Sequence, residues 1–215
     1  MLTIKHLFNK RKINKRCELR GKPLAENTDD PRFLRSFEAL IGAISDLLDE
    51  RALSEISITD VVRRAGVSRP TFYQHFPDLQ TAAKAAALKR LSTAFPPVEP
   101  MALAALGSEG IRDDIIARAL PIFEHLKAHK DFYLRVRAGV GSLDVFEDLL
   151  PFVAHRTLRA SDGDAEETDA TVFLISGIVG MVVHWMTSDF QGRNRPDQMA
   201  TRLANVIDWS RRVPV

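Results

Sequence analysis

The chain has 215 residues, 45% of them hydrophobic, which is enough for one small domain and a larger one with ordinary globular cores. Its net charge is only +2, but residues 1–90 hold 17 basic and 11 acidic side chains whereas residues 91–215 hold 13 and 17, so the N-terminal part suits a phosphate-bearing partner. The single cysteine, Cys17, excludes an internal disulfide and predicts a reducing, cytoplasmic location.

Residues 1–30 are polar and basic, with Lys or Arg at eight positions up to Lys22, and they predict a flexible arm. Two interpretations of this arm remain open. It is either a solvated tail, including an extension from a misplaced start codon, or an arm that follows nucleic-acid phosphates or enters the minor groove. No hydrophobic run follows the first basic residues, so no signal peptide is expected.

An apolar stripe at helical spacing predicts a first helix over residues 32–52, opened by Pro31. Shorter patterns predict helices over 58–65, 69–75 and about 78–94. The Pro-Pro pair at 96–97 ends the last of these helices and begins a domain link. We therefore expect one domain over residues 31–95 and another over residues 96–215.

The stretch SITDVVRRAGVSRPTFYQHF, residues 57–76, predicts two short helices joined by a tight turn. Ser57 and Asp60 have the spacing of a capping box at the start of the first helix. Gly66 follows that helix, where a residue tolerant of positive φ is favoured, and Ser68 is placed to cap the second helix. This is the layout of a helix-turn-helix, whose second helix enters the major groove of DNA.

The second of these helices has two different faces. Phe72 and Phe76 lie four residues apart and are expected to point inward. The side chains expected to face outward are Arg69, Thr71, Tyr73, Gln74 and His75. Because so short a helix is unstable alone, it must dock on a scaffold.

Beyond the link, apolar periodicity predicts helices over 109–128, 131–138, 143–160, 168–190 and 196–212. Strand alternation is absent throughout the sequence, so the predicted fold class is all-α. The acidic residues 161–169 are interpreted as a turn, since they lack the ligand spacing of a calcium loop. The longest apolar stretch, residues 172–186, is too short to span a bilayer comfortably, so we expect a core or interface helix and no membrane partner.

The run Ala65-Gly66-Val67-Ser68, followed at fixed spacing by Thr71, Tyr73, His75 and Phe76, resembles the signature of TetR/AcrR-type transcriptional regulators. The resemblance extends over residues 33–90. It implies an N-terminal three-helix helix-turn-helix DNA-binding domain and a helical C-terminal domain for ligand binding and dimerisation. The implied function is that of a sequence-specific regulator, usually a repressor, that a small molecule releases from its operator.

The resemblance also implies which residues contact DNA: Arg35, Thr59, Arg69, Pro70, Thr71, Tyr73, Gln74, His75 and Lys84. Arg69, at the start of the recognition helix, is the best candidate for a bidentate contact with guanine, which discriminates by about 1–3 kcal/mol. Gln74 is expected to contact adenine or the DNA backbone. Tyr73 and His75 match positions that hold phosphates, with packing against the protein as the alternative for each.

Two positions depart from the family pattern. Leu79 stands where a lysine usually contacts phosphate, and Lys84 or the basic arm is expected to compensate. Val62 stands where a small residue is usual, which indicates a slightly different packing of the two helices. Arg63 and Arg64 are expected to form a solvated face rather than to contact bases.

The last two predicted helices present apolar faces that one small domain cannot cover. The resemblance places them at a homodimer interface formed by Ile175, Ile178, Val179, Val182, Val183, Met186, Leu203, Val206 and Ile207. A two-fold dimer carries its recognition helices about one DNA turn apart, roughly 34 Å, which predicts a palindromic double-stranded DNA operator.

The family's regulators also carry a ligand pocket in the C-terminal domain. Candidates for its lining are Phe123, Leu126, Phe132, Tyr133, Phe146, Phe152, Phe173, Met181, His184 and Trp185. Residues of these types at helical spacing also make up ordinary cores, and that interpretation stays open. Since ligand pockets are mostly apolar, the expected ligand is an unidentified apolar or amphipathic small molecule.

Enzyme motifs are missing from the sequence: it has no glycine-rich phosphate loop, zinc-protease motif, nucleophile elbow or cysteine pair. We therefore expect no enzyme activity, no cofactor and no metal. His125 and His129 have a metal-binding spacing, but no third ligand is evident and neighbouring lysines oppose a cation. Two other functions remain open, namely a ligand-independent architectural DNA-binding protein and a helical enzyme or carrier that only resembles the motif.

Overall fold

The structure, a computed structural model, describes residues 30–95, 108–141 and 169–212. The predicted arm up to residue 29, the predicted helix over 143–160, most of the acidic turn and the candidate pocket residues Phe146 and Phe152 lie outside the described residues. Within them, every regular element is helical, which confirms the all-α fold class.

The main helices are α1 (Pro31–Glu50), α2 (Ile58–Ala65), α3 (Arg69–His75), α4 (Leu79–Ser92), α5 (Ser108–Ala128), α6 (Lys130–Val140), α7 (Asp169–Trp185) and α8 (Pro196–Arg212). Two short 3-10 helices, Leu53–Glu55 and Gly192–Asn194, were not predicted from the sequence. The chain forms two compact units: residues up to Lys89 together with Arg135–Val140 make the first, and Arg90–Leu134 with the residues from Gly141 onward make the second. These units are defined by contacts between residues and not by position along the chain. They therefore do not test the domain limits 31–95 and 96–215, which stay a proposal.

Helix α1 is the scaffold of the first unit. The Asp30 side chain accepts a hydrogen bond from the backbone N–H of Arg32 at 2.7 Å and so caps the helix. One face of the helix is buried along its length, through Phe37, Leu40, Ile41, Ala43, Ile44, Leu47 and Leu48. This face carries the short helices α2 and α3.

The C-terminal end of α1 is held by a residue far away in the sequence. Arg135 Nη1 donates hydrogen bonds to Leu48 O at 2.8 Å and to Asp49 O at 2.7 Å, so it satisfies carbonyls that have no partner within the helix. One turn further along α6, a Cβ added at Gly139 would lie 2.5 Å from Leu53 Cβ, so this close approach requires glycine. The last residues of α6 therefore belong to the core of the first unit.

The second unit has an aromatic centre. The rings of Phe123 and Trp185 lie 5.1 Å apart, edge to face, and Trp185 Nε1 donates to Asn194 O at 2.7 Å. Helix α8 packs along α5 through the buried side chains Met199, Ala200 and Ala204. These contacts build the interior of the second unit.

Helix α7 ends at Trp185, so the prediction of a helix over 168–190 is wrong at its C-terminal end. The backbone turns there, since Ser188 N–H donates to Trp185 O at 2.9 Å. Phe190 then adopts a positive φ of 59°, with its ring 4.6 Å from that of Trp185. The gain from burying the Phe190 ring accounts for a backbone conformation that is unfavourable for a bulky residue.

Among the described helices, none is long and apolar enough to cross a membrane. The same part of the chain contains no group of three or more His, Cys, Asp or Glu side chains arranged to hold a metal ion.

Candidate nucleic-acid interface

The turn between α2 and α3 follows from local side-chain chemistry. Ser57 Oγ accepts from Asp60 N–H at 3.1 Å while Asp60 Oδ2 accepts from Ser57 N–H at 3.1 Å, which is the predicted capping box. Gly66 ends α2 with φ 67°, in the left-handed region that glycine adopts without strain. The predicted start and end of α2 are thus both confirmed.

Helix α3 is only seven residues long and is fixed by contacts on one side. Ser68 Oγ accepts from Thr71 N–H at 3.2 Å and caps its start, and Pro70 stands in its first turn. Phe72 and Phe76 are buried, as the four-residue spacing predicts. Since two turns of helix do not hold together in water alone, α3 depends on these contacts for its stability.

The opposite face of α3 is open to solvent. Arg69, Pro70 and Gln74 are exposed, and Tyr73 is 49% exposed although it is a large aromatic residue. Thr71 is half-buried, with its hydroxyl 2.8 Å from Ser68 Oγ. The structure therefore gathers cationic, amide and phenolic groups on one surface, which we call the α3 face (Arg69, Pro70, Tyr73, Gln74).

The other predicted DNA contacts lie outside α3. Thr59 is exposed in the first turn of α2. Arg35 is exposed on α1, with its Nε donating to Pro31 O at 3.2 Å. Lys84 is half-buried on α4. Their contacts with DNA stay predictions.

Arg63 and Arg64 are engaged in ion pairs, which fits the expectation that they do not contact bases. Arg64 Nη1 and Nη2 donate to the two carboxylate oxygens of Glu50 at 2.6 and 3.1 Å, and this hydrogen bonding lowers the pKa of Glu50. Arg63 Nη2 lies 2.8 Å from Asp60 Oδ1. Both guanidinium groups are therefore partly neutralised by carboxylates of the same unit.

His75 does not face outward, so that part of the sequence prediction is wrong. Its ring lies against α1, 4.1 Å from the ring of Phe33 and 5.7 Å from that of Phe37. Nε2 is 2.8 Å from Ser36 Oγ, and Nδ1 is buried and meets no hydrogen-bond partner among the described residues. Burial lowers the pKa of His75 to about 4, so the ring is neutral near pH 7. These contacts support the alternative in which His75 packs against the protein.

The two departures from the family pattern have visible consequences. Val62 is buried on α2. Leu79 is the first residue of α4, and the preceding Asp78 caps this helix by accepting from Thr81 N–H at 2.7 Å. The start of α4 therefore carries a carboxylate and a leucine but no lysine.

The candidate pocket residues that the structure describes differ widely in exposure. Phe123, Leu126, Phe132 and Trp185 are buried, and Tyr133 is half-buried with its hydroxyl 2.8 Å from His125 Nε2. In contrast, Phe173 is 78% exposed and His184 is exposed, while Met181 is half-buried. An open groove of about 510 Å³ is lined instead by Leu120, Glu124, Lys127, Ala128, Arg195, Pro196 and Asp197. The buried four fit the alternative that they are core residues.

The predicted dimer residues also divide into two groups. Ile175, Ile178, Val179 and Met186 are buried within the single chain, so they do not offer a surface to a second copy. Val182, Val183, Leu203 and Ile207 are half-buried, and Val206 is exposed. The exposed side of α7 is a different stripe, with Phe173, Gly177 and His184 at its surface.

Comparison with known proteins finds sequence similarity to bacterial transcriptional regulators. A family model described as bacterial regulatory proteins of the tetR family matches residues 40–79. The HTH-type transcriptional regulator EthR of Mycobacterium tuberculosis (strain H37Rv) is 41% identical over 58 residues, which are 27% of this chain and 25% of that protein. EthR of Mycolicibacterium smegmatis is 38% identical over 58 residues, with the same coverage.

The chain spans about a quarter of the length of these relatives. The family-model match at residues 40–79 includes the helices that form the capping box, the left-handed turn and the α3 face. Local geometry and sequence similarity thus agree over the same segment. Residues 40–79, in the first unit, thus match the helix-turn-helix segment of the TetR family of bacterial regulatory proteins.

Proposed function

We propose that the protein is a sequence-specific DNA-binding transcriptional regulator, and most specifically a repressor that leaves a palindromic operator when a small molecule binds. The single observation that carries this proposal is the α3 face, where Arg69, Pro70, Tyr73 and Gln74 stand exposed on a helix whose other side is buried. The exposed side thus holds a guanidinium, a phenol hydroxyl and an amide, the kinds of group that contact bases and phosphates in protein–DNA interfaces.

The chemistry of the α3 face matches a DNA major groove. Arg69 has the planar fork that binds guanine O6 and N7, and Gln74 has the amide that binds adenine N6 and N7. Tyr73 has a hydroxyl suited to a phosphate oxygen. Pro70 and the half-buried Thr71 offer apolar contact with a thymine methyl group. Further contacts with the phosphate backbone are proposed for Arg35, Thr59 and Lys84.

The repressor is proposed to act as a homodimer, because one seven-residue recognition helix contacts too few base pairs to define a specific site. Since Ile175, Ile178 and Val179 are buried in the chain's own core, the proposed interface uses the exposed stripe of α7 instead, centred on Phe173 and Gly177. An exposed phenylalanine beside a glycine gives a second copy an apolar and closely approachable surface. Further candidates for the dimer interface are Val182, Val183, Leu203, Val206 and Ile207.

The ligand is proposed to be a small apolar or amphipathic molecule that binds in the C-terminal helices. Coupling between such a ligand and DNA affinity typically amounts to about 1–3 kcal/mol. The buried aromatic groups around Phe123 and Trp185 are the part of the second unit whose repacking such a ligand would require. The location is proposed as cytoplasmic, because a regulator of this kind must reach chromosomal DNA.

The experiment measures binding to the intergenic DNA beside this protein's own gene and to random DNA of equal length, at two salt concentrations. Wild type is compared with the double variant Arg69→Ala/Tyr73→Ala, and Arg63→Ala is the matched control because Arg63 is paired with Asp60. Tight binding to the intergenic DNA alone, lost in the double variant and kept in the control, is the expected result.

Two outcomes would overturn the proposal. Equal and steeply salt-dependent binding to both DNAs would indicate a ligand-independent architectural protein, because phosphate contacts alone carry no sequence information. Absence of binding even at low salt would indicate that the helix-turn-helix is not used for DNA at all.

A further inference from the structure

One hydrogen bond ties the C-terminal end of α3 to α1, and its proton can be assigned. Ser36 Oγ lies 3.0 Å from Phe33 O and 2.8 Å from His75 Nε2. A serine hydroxyl has one proton, and a backbone carbonyl can only accept. The Ser36 proton therefore serves Phe33 O, and the second contact requires an N–H on His75 Nε2 that donates to Ser36 Oγ.

The other ring nitrogen of His75 points to the same tautomer. Nδ1 is buried and has no hydrogen-bond partner among the described residues. In the Nε2–H tautomer this atom is a bare acceptor, whereas in the other tautomer it would be a buried donor without a partner. In that tautomer the Ser36 proton would also have to turn from Phe33 O to Nε2, so the unsatisfied N–H would come in addition to the loss of the bond to Phe33 O, and the two observations favour the same proton position.

We propose that His75 is a positioning residue of the recognition helix: its Nε2–H donates to Ser36 Oγ and its ring packs on Phe33, and together these contacts fix the rotation of α3 on α1. This proposal rests on the proposed function, because the rotation matters through the direction in which the α3 face meets the bases. His75 itself touches neither base nor phosphate in this role.

The remaining contacts of α3 do not set its rotation by themselves. Phe72 and Phe76 hold the helix through apolar burial, which has no preferred direction. The Ser68 cap satisfies the first turn but lies within the same segment as the helix. The bond between His75 and Ser36 is directional and joins residues 39 positions apart in the chain.

A phosphate-binding His75 and a positioning His75 give different signatures. A charged contact with phosphate adds about one unit to the slope of log affinity against log salt, and its loss weakens binding to every sequence alike. A positioning residue leaves the salt slope unchanged, and its loss weakens the preferred sequence more than a scrambled one.

The test uses the full chain and a DNA duplex that the wild-type protein selects from a random-sequence library. The variants are His75→Gln, whose amide nitrogen reaches the place of Nε2; His75→Asn, whose amide reaches only the place of Nδ1; and Ser36→Ala. His75→Asn and Ser36→Ala are expected to lose about tenfold of the preference for selected over scrambled DNA, the size of one hydrogen bond. His75→Gln is expected to retain the preference, with the same salt slope throughout.

The double variant Ser36→Ala/His75→Asn is expected to bind no more weakly than His75→Asn alone, since that substitution already removes the bond to Ser36. Additive losses would overturn the proposal, and so would a salt slope that falls by about one in His75→Asn with equal weakening on both DNAs. An enriched sequence that all variants bind alike would overturn the role of His75 alone. Failure of the library to yield any enriched sequence would overturn the proposed function with it.

A measurement on the wild-type protein guards against a variant that fails to fold. Nitrogen-15 NMR of labelled histidine distinguishes the two neutral tautomers directly. A protonated Nε2 and a bare Nδ1 are the expected result, and a protonated Nδ1 would overturn the proposal without any substitution.

Discussion

The helix-turn-helix and the C-terminal helices differ in how far local sequence determines which side chains are exposed. In α2 and α3, caps, one glycine and a four-residue aromatic spacing set both the helix ends and the buried side. In α7, the apolar residues surround the helix, and contacts with other helices decide that Ile175 is buried while Phe173 is exposed. The faces of short polar helices can thus be predicted from sequence, whereas those of uniformly apolar helices are decided only on packing.

The largest expected effect on the free energy of unfolding comes from substituting a phenylalanine, and one phenylalanine from each region is compared. Phe72→Ala should lower the free energy of unfolding by about 3–5 kcal/mol, because Phe72 is fully buried beneath the α3 face. Phe173→Ala should change it by less than about 0.5 kcal/mol at low protein concentration, since Phe173 is 78% exposed. Chemical denaturation measures both.

The same pair separates folding from self-association. If α7 provides the dimer surface, Phe173→Ala should shift the monomer–dimer equilibrium in analytical ultracentrifugation, and only at high concentration should wild type be the more stable of the two. An unchanged association constant would remove Phe173 from the interface.

The next largest effect on stability is expected at the turn between α2 and α3, where the substitution of Gly66 is compared with that of a glycine inside α1. Gly66→Ala should destabilise the first unit by about 1–2 kcal/mol, because an alanine must then adopt the left-handed backbone at φ 67°. Gly42→Ala is the matched control: Gly42 lies inside α1 and a Cβ there meets nothing within 4 Å, so a stabilisation of about 0.5–1 kcal/mol is expected. Equal effects of the two changes would argue against the turn geometry.

A pH effect of similar size is expected from His75. Burial lowers its pKa from 6.5 to about 4, so the unfolded chain binds a proton more readily than the folded chain between these values. The contribution to stability should therefore be full above pH 6.5 and should decline as the pH falls toward 4, by about 1–2 kcal/mol after allowance for the partial exposure of the ring. Urea midpoints across this range, with His75→Gln for comparison, measure the contribution.

His125 contributes in the same direction, because burial lowers its pKa as well and His129 and Arg90 add to the effect. His125→Gln in both backgrounds isolates the contribution of His75. A pH dependence that survives both substitutions unchanged would contradict the assignment.

The smallest effect is that of the helix cap. Ser57→Ala removes the oxygen that accepts from Asp60 N–H, and should cost about 1 kcal/mol. Ser54→Ala, at an exposed position nearby, should be close to neutral. Thermal unfolding of the two variants gives the difference.

The helices of the first unit could be predicted closely because their ends depend on neighbouring residues. Ser57, Gly66 and Ser68 act within a few positions of themselves, and each is found in the predicted role. The interaction of Arg135 with the last carbonyls of α1 was not predictable, because Arg135 and Leu48 lie 87 positions apart. Such a contact leaves no local pattern in the sequence.

Most of the exposed and buried positions of α3 were also predicted from the sequence. The exposure of Arg69, Pro70, Tyr73 and Gln74 follows from helical periodicity around Phe72. The orientation of His75 was predicted wrongly because residues of α1 bury its side chain, and periodicity within α3 carries no information about them. Phe33 and Phe37 flank Ser36 at a spacing that any amphipathic helix shows, so the sequence of α1 does not reveal the contact either.

The measurement that tests the central claim most directly is a base-pair scan of the selected DNA site with wild type, Arg69→Ala and Arg63→Ala. If the α3 face reads sequence, Arg69→Ala should relax the preference at one base pair in each half-site by about 1–3 kcal/mol and leave the other positions unchanged. Arg63→Ala should match wild type. A uniform loss of affinity across all base pairs in Arg69→Ala would show that this arginine binds phosphate only, and would contradict the account.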